Sequence, residues 1–324
     1  MQIKKNLTFL FFFLTFCTKA FSLNDDFFFA VEPNASFTFG ELGDYLFSNS
    51  NKDFIISHLE WEEKPLIKTG INICSGWKNI HAKIGTDITI PLTCGQMLDS
   101  DYDPKYKHKT MLGVFDNIAQ LNYTLFAELF YDFPINSIFS FSPKLKVKYS
   151  YNSITTKNGH GWYGNKDIAY DDEKATYHPR LSHIDYMRKS LLFYIGLKLN
   201  YSTQKFNFSI GTFFSPYTYF YTKNYHSDET NSDQDFYCIS IQDDYFKGIN
   251  QIFITEFLID ESKILSFKCE ITHTPIFRGI TATNRFRGTS YGSSIYDVEW
   301  SKMSQDTGSD ILEINISTGF KIIF

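Results

Sequence analysis

The sequence has few cysteines, no excess of positive charge and, after the N-terminus, no long apolar run. Only 5 of its 324 residues are cysteines. Four of them, Cys74, Cys94, Cys238 and Cys269, are too few and too scattered for a disulfide framework, although one bridge stays open. The formal net charge of −5 gives no electrostatic reason to expect a nucleic-acid partner. After the N-terminus there is no run of eighteen apolar residues, so spanning helices are not predicted.

Aromatic residues, in contrast, are unusually abundant. The chain contains 34 Phe and 21 Tyr, which raise the aromatic content to 18%, although the sequence is polar on average. An apolar outer surface would account for so many aromatic side chains. In a membrane every backbone polar group must be paired within the protein, so a chain without spanning helices can cross only as a closed β-barrel.

The N-terminus has the three parts of an export signal. Lys4 and Lys5 form a positive region, residues 7–16 form a short apolar region, and residues 20–22 (Ala-Phe-Ser) form a small-x-small cleavage site. We therefore expect a signal peptide over residues 1–22 and one barrel domain over residues 23–324.

Apolar and polar residues alternate along the rest of the chain, which predicts half-buried strands. Leu145, Val147 and Tyr149 alternate with Lys144, Lys146 and Lys148. Three adjacent lysines would be unfavourable in a dry core, whereas a barrel with a polar interior accommodates them. The longest such face belongs to the last strand and consists of Leu312, Ile314, Ile316, Thr318, Phe320, Ile322 and Phe324.

Short and long connections between the predicted strands alternate along the chain. Short ones are predicted near 77–80, 133–137, 204–205 and 260–262. Long ones are predicted near 43–53, 94–116, 152–188, 222–244 and 277–309. The pattern predicts an all-β fold: a ten-stranded antiparallel transmembrane β-barrel of the bacterial outer membrane, with short periplasmic turns and long extracellular loops.

Candidate chemical groups lie in the predicted long connections. Asp99 and Asp101 are two residues apart, so in an extended segment both carboxylates point to one side and can share a proton or hold a water. Asn224 and His226 have the same spacing, and an amide can fix the tautomer of an imidazole. Aspartates and single histidines in loops are, however, usually only solvated. No spacing typical of a metal or cofactor site is present.

Several segments resemble the omptins, a family of ten-stranded outer-membrane endopeptidases. Residues 58–61 (HLEW), 67–72 (IKTGIN), 95–101 (GQMLDSD) and 120–123 (QLNY) follow the family's order at about its spacing. The resemblance covers the mature chain and is strongest over residues 54–130. It implies an endopeptidase that cleaves extracellular peptides or proteins and needs no cofactor.

The resemblance also implies roles for the candidate residues. Asp99 and Asp101 match the omptin aspartate pair, and His226 matches the omptin histidine. A water held between Asp99 and His226 would lose a proton to the imidazole and attack the peptide bond, while Asp101 helps to hold it. The expected partners are peptide or protein substrates and outer-membrane lipid. The terminal aromatic residue, Phe324, resembles the C-terminal signal that the barrel assembly machinery recognises in bacterial outer-membrane barrels.

Two departures from the family favour a second hypothesis. Asn224 stands where the family has an aspartate; a register shift could bring in Asp228, but Thr230 would then replace the histidine. The positions aligned with the family's acidic pocket, near Phe47 and at Thr222, are not acidic. The alternative is a weak or inactive omptin-fold barrel that serves as an adhesin or surface receptor. A wide pore is not expected, because side chains fill most of a ten-stranded lumen.

Overall fold

The computed structural model describes residues 27–48, 53–103, 105, 108–226, 236–285 and 305–324. The predicted signal peptide, residues 1–22, and Asp228 lie outside these ranges. None of the described residues forms a helix that is long and apolar enough to cross a membrane.

Fifteen strand segments form one antiparallel sheet in the described parts of the chain. They are β1 (Phe27–Phe47), β2 (Ile55–Trp77), β3 (Ile80–Thr89), β4 (Leu92–Tyr102), β5 (Lys109–Ala119), β6 (Tyr123–Tyr131), β7 (Phe133–Pro134), β8 (Phe139–Tyr163), β9 (Thr176–Leu181), β10 (Ile184–Ser202), β11 (Phe206–His226), β12 (Phe236–Asp244), β13 (Ile249–Asp260), β14 (Lys263–Arg285) and β15 (Gln305–Ile323). The sheet closes into a ring because β1 pairs with both β2 and β15.

The ring has ten strands, as the succession of short and long connections predicted. Three of them are interrupted, so that β3 continues as β4, β5 as β6 and β12 as β13, whereas β7 and β9 are short additions beside β8. The break between β3 and β4 contains Pro91, which has no N–H to donate to a neighbouring strand. A bulge follows at Gly95, whose φ of 104° suits a residue without a Cβ.

The four predicted short turns are confirmed and lie together at what we call the turn end of the barrel. They occupy residues 78–79, 132–138 (which include the short β7), 203–205 and 261–262. At the opposite end, the loop end, the strands run further than predicted. Only residues 164–175 and 182–183, for example, remain outside strands in the predicted connection 152–188. The strand halves nearest the loop end, here called the upper halves, carry exposed polar side chains such as Lys157 and Asp185, so their sequence resembles that of loops.

Apolar side chains cover the outside of the strand halves nearest the turn end. Ile84, Leu145 and Leu199 are 54%, 52% and 56% exposed on this wall. Two series of contacting aromatic rings run along the turn end: Tyr131, Phe133 and Phe141 form one, and Phe139, Tyr201, Phe206, Phe257 and Phe267 form the other. Such a girdle is typical of the boundary between a membrane and water. The apolar band is the membrane-spanning part, and the upper strand halves extend beyond it.

The interior of the membrane-spanning part is polar and charged, as the three alternating lysines indicated. Lys144 lies 2.6 Å from Glu128, Lys148 lies 2.9 Å from Glu313, and Lys146 pairs with Glu270. All three lysine side chains are largely buried. Buried charges require partners of opposite sign, and the lumen supplies them from facing strands. Cys74, Cys94 and Cys269 are free thiols.

A layer of apolar and aromatic side chains separates this lumen from the loop end. Trp61 on β2 and Tyr186 on β10 stack with their ring centroids 4.5 Å apart. The same buried cluster includes Leu42, Leu59, Met97, Phe115, Ile154, Ile184, Leu192, Tyr194, Phe213, Phe220, Ile252 and Ile311. The cluster forms a floor, and the space above it is the mouth of the barrel.

Candidate active site

Asp99 and Asp101 lie on β4, on the face that lines the mouth. Asp99 is opposite the buried Leu59 of β2, and Asp101 is opposite Ser57. Because side chains alternate across a strand, the two carboxyl groups project to the same side. Asp99 is only 9% exposed. The predicted grouping of the two aspartates is therefore present, but on a strand and not in a loop.

Burial and like charge alter the protonation of this pair. Burial raises the pKa of Asp99 well above its usual range, and the neighbouring Asp101 raises it further. Burial also raises the pKa of Asp101, which a hydrogen bond with Ser57 partly offsets. Two carboxylates that share a buried position cannot easily both be ionised. The pair therefore retains a proton more readily than free aspartates do.

Asn224 and His226 occupy the end of β11, on another wall of the mouth. In the register with β10, Asn224 is opposite Tyr186 and His226 is opposite Ile184. Asn224 is 4% exposed, and its Oδ1 accepts no hydrogen bond from the described residues. Loss of hydration lowers the pKa of His226 to about 4. The imidazole is thus neutral near pH 7 and can accept a proton.

The two pairs stand on strands that β5, β8 and β10 separate along the shorter side of the ring. Trp61 is opposite Met97, two residues below Asp99, and it stacks with Tyr186, which is opposite Asn224. The structure therefore brings Asp99 together with Asp101, and Asn224 together with His226, on two walls around one mouth. An extended peptide lying across the floor could meet carboxyl groups on one side and the imidazole on the other.

The structure corrects the prediction that these residues lie in loops. Asp99 and Asp101 were expected within the connection 94–116, and His226 within 222–244, but β4 ends at Tyr102 and β11 ends at His226. The strand ladder continues because both edges of β4 and β11 are paired up to this level. Strands fix side chains more firmly than loops do, which suits a site that depends on position.

Comparison with known proteins identifies the family. A family model described as the omptin family matches residues 35–274, more than half of the chain. The chain belongs to the omptin family. No curated protein matches it.

Among solved structures, the omptin chain is similar to the outer membrane protease OmpT from Escherichia coli. The TM-score is 0.74 at 14% sequence identity, and the match covers 92% of this chain and 97% of that one. The translocator domain of the autotransporter NalP from Neisseria meningitidis matches with a TM-score of 0.34 at 8% identity, over 99% of this chain and 96% of that one. The first match shows the shared barrel fold, and the family places this omptin in the outer membrane.

Sequence reasoning missed a buried polar group beside the omptin site. Arg188 on β10 is 1% exposed and lies 3.9 Å from the Asp44 carboxylate. The Ser309 hydroxyl donates to the same carboxylate at 2.6 Å. The sequence did contain a signal for this inward face, because Tyr186, Arg188 and Ser190 continue the every-second-residue pattern of β10 towards the loop end. The residues were read as part of a long loop, so their inward face went unnoticed.

The two positions that align with the acidic pocket of other omptins carry buried side chains without negative charge. Phe47 is 3% exposed, and the Arg278 guanidinium lies 4.2 Å from the centre of its ring. Thr222 is 1% exposed and is paired with Arg188 across the β10–β11 ladder. Among the described residues, no group of three His, Cys, Asp or Glu side chains could hold a metal ion.

Proposed function

We propose that this omptin is an endopeptidase that hydrolyses extracellular peptides or proteins, with its loop end outside the cell. The observation that carries the proposal is the inward-facing Asp99–Asp101 pair at the mouth, on a different wall from a half-buried, neutral His226. These are the two kinds of group that activation of a water requires: acceptors that hold it and a base that takes its proton.

The proposed reaction begins with a water between Asp99 and His226. His226 takes one proton, and the water oxygen attacks the carbonyl carbon of the peptide bond. A carboxyl group of the pair that has kept its proton donates a hydrogen bond to the oxyanion as it forms. The protonated imidazole then gives its proton to the leaving nitrogen as the C–N bond breaks. No covalent bond to the enzyme forms, so reagents that acylate serine proteases should have little effect.

Asn224 is expected to lower the rate of this reaction. An amide oxygen can accept a hydrogen bond from the imidazole and hold its tautomer, but it brings no negative charge to stabilise the imidazolium. In serine proteases the loss of the corresponding charge, with its change of tautomer, lowers turnover about 10⁴-fold. We therefore propose a slow enzyme and not one that has lost its base.

Two substitutions with matched controls test the proposal. Asp99→Ala and His226→Ala should each remove nearly all cleavage of a mixed peptide substrate by the refolded barrel. Asp185→Ala and His108→Ala change the same residue types at the loop end and should leave the rate unchanged. The heat-dependent gel shift of a closed barrel verifies folding of every variant. A folded His226→Ala protein that retains its rate would exclude the proposed base.

A binding function is the second candidate, and one feature of the loop end favours it. β9 extends the wall beside β8 and carries an aromatic cluster in which Tyr177, 52% exposed, lies 5.4 Å from Trp162 and 6.3 Å from His160. Exposed aromatic clusters are common in protein interfaces. Tyr177→Ala removes the exposed ring of this cluster from β9. It should weaken attachment of bacteria to host cells if binding is the function, and leave peptide cleavage intact if cleavage is.

A further inference from the structure

The wall of the mouth beside Asp99 is formed by glycine on two successive strands. Asp99 on β4 is opposite Gly113 on β5, and Gly113 is in turn opposite Gly161 on β8. Residues that face each other in an antiparallel pair lie on the same face of the sheet, so both glycines belong to the inner face that carries Asp99. The row therefore continues from the Asp99 side chain over two strands without a Cβ atom.

Leu181, the last residue of β9, lies over these two glycines. A Cβ atom at Gly113 would be 3.2 Å from the Leu181 Cδ1 atom, and one at Gly161 would be 3.0 Å from it. The position at Gly113 is also 2.9 Å from Phe115 Cε2 and 3.4 Å from Met111 Cε. Glycine at both positions leaves room for the leucine side chain. The inner surface of this wall is therefore apolar, although glycine itself contributes no side chain.

A substrate can reach this apolar wall. The wall lies in the same row as Asp99, which the proposed reaction already brings to the substrate. One row below, Phe115 is opposite Met97, and both belong to the buried floor cluster. Leu181 is only partly buried where it packs against that cluster, and the β9 residues before it, Thr176–Arg180, are all exposed. The leucine side chain thus lies at the boundary between the floor and the open mouth.

The surroundings of the two glycines favour an apolar ligand. The three atoms closest to a Cβ at either position are carbon atoms, except for the backbone oxygen of Leu112 beside Gly161. The neighbouring Asp99–Asp101 pair retains a proton, so it attracts a basic side chain less than two free carboxylates would. A charged or amide side chain gives up hydrogen bonds to water on such a surface, whereas an apolar side chain does not.

We propose that Leu181 is a specificity-determining residue that favours an apolar substrate side chain next to the cleaved bond. This inference rests on the proposed peptidase function and names its substrate class. The substrate residue on the β5–β8 side of the scissile bond would pack its side chain against Leu181 and Met111. A leucine there is favoured because its apolar surface leaves water, whereas an asparagine of similar shape loses hydrogen bonds to water.

The test compares peptides that differ only by Leu or Asn at one of the two residues flanking the scissile bond. At one of these two positions the parent barrel should cleave the Leu peptide roughly tenfold faster, in the range by which apolar pockets discriminate between side chains. Leu181→Asn keeps the shape of the side chain but places an amide on the wall, and should reduce the ratio to about one. Leu181→Asp should shift the preference to a Lys peptide.

The matched control is Leu112→Asn, which changes the residue next to Gly113 on the other face of β5 and should leave the ratio unchanged. Equal parent rates for Leu and Asn at both positions, or a parent preference for Lys, would refute the inference while preserving the peptidase. The comparison on the parent needs no substitution, so it decides the matter even if a variant fails the gel shift.

A binding measurement separates the inference from the peptidase proposal. The His226→Ala barrel lacks the proposed base on another wall of the mouth. It should bind a fluorescent Gly-Ser peptide with one central Leu roughly tenfold more tightly than the same peptide with Asn, and the added Leu181→Asn change should remove the difference. If the parent cleaves nothing but this difference is found, the apolar site stands and the peptidase proposal fails. Equal binding of both peptides would show that Leu181 only packs against the floor, and the inference would be wrong.

Discussion

The substitution Asn224→Asp should convert the proposed slow omptin into a faster one. Asn224 and His226 are two residues apart on the same face of β11, so their Cα atoms are about 6–7 Å apart and their side chains can meet. The Asn224 Oδ1 accepts no hydrogen bond from the described residues. A carboxylate oxygen at the same position in the Asn224→Asp variant would therefore be available to the imidazole.

The size of the effect follows from the charge that the substitution adds. Two unit charges about 4 Å apart attract each other by about 4 kcal/mol at the effective dielectric constant of a protein surface. His226 is only partly buried, and solvent reduces this to about 2–3 kcal/mol. If this attraction stabilises the imidazolium in the transition state, the rate of cleavage increases roughly 30- to 150-fold.

The assay measures both the rate and its dependence on pH. The acid limb of the parent should lie near the pKa of His226, about 4, because protonation removes the base. A carboxylate at 224 raises the pKa of the imidazole by about 1–3 units, so the acid limb should move to higher pH. Asn224→Ala is the neutral control and should do neither. A folded Asn224→Asp barrel with an unchanged rate and an unmoved acid limb would refute the assigned interaction.

Three further predictions concern stability. The folded-state pKa of Asp99 is raised, so stability should fall as the pH rises from about 4, the ordinary aspartate pKa, through the folded-state value; the Asp99→Asn variant should lose less stability over the same rise in chemical unfolding. Glu270→Gln leaves Lys146 and Lys268 without their shared partner and should cost about 3–5 kcal/mol, whereas the exposed Glu261→Gln should cost little. Unboiled and boiled samples should migrate differently in gels, and identical migration would contradict a closed barrel.

The membrane-spanning part of the fold was predicted well from the sequence. Lipid on the outside and a polar lumen on the inside impose a strict alternation of apolar and polar residues there. Lys144, Lys146 and Lys148 could be assigned to the lumen, and Leu145 to the lipid, from their positions alone. Above the membrane both faces of a strand meet polar surroundings, and the alternation weakens. The ends of β4, β8, β10 and β11 were consequently mistaken for loops.

The candidate site was predictable only in part. The spacing of Asp99 and Asp101 fixes their common side on any extended segment, and the structure has them together. How His226 is placed relative to them depends on the order and stagger of strands around the ring, which no local pattern contains. The contact between Arg188 and Asp44 could not be predicted for the same reason: the two residues are far apart in the chain and meet only because β10 and β1 face each other across the barrel.

The proposed endopeptidase activity is tested most directly by incubating the refolded barrel with a diverse peptide mixture and mapping the cuts by mass spectrometry. We predict cuts at recurring positions, slow for the parent, faster for Asn224→Asp and absent for Asp99→Ala. The proposal is wrong if neither the parent nor the Asn224→Asp barrel, each shown to be folded, cuts any peptide in the mixture.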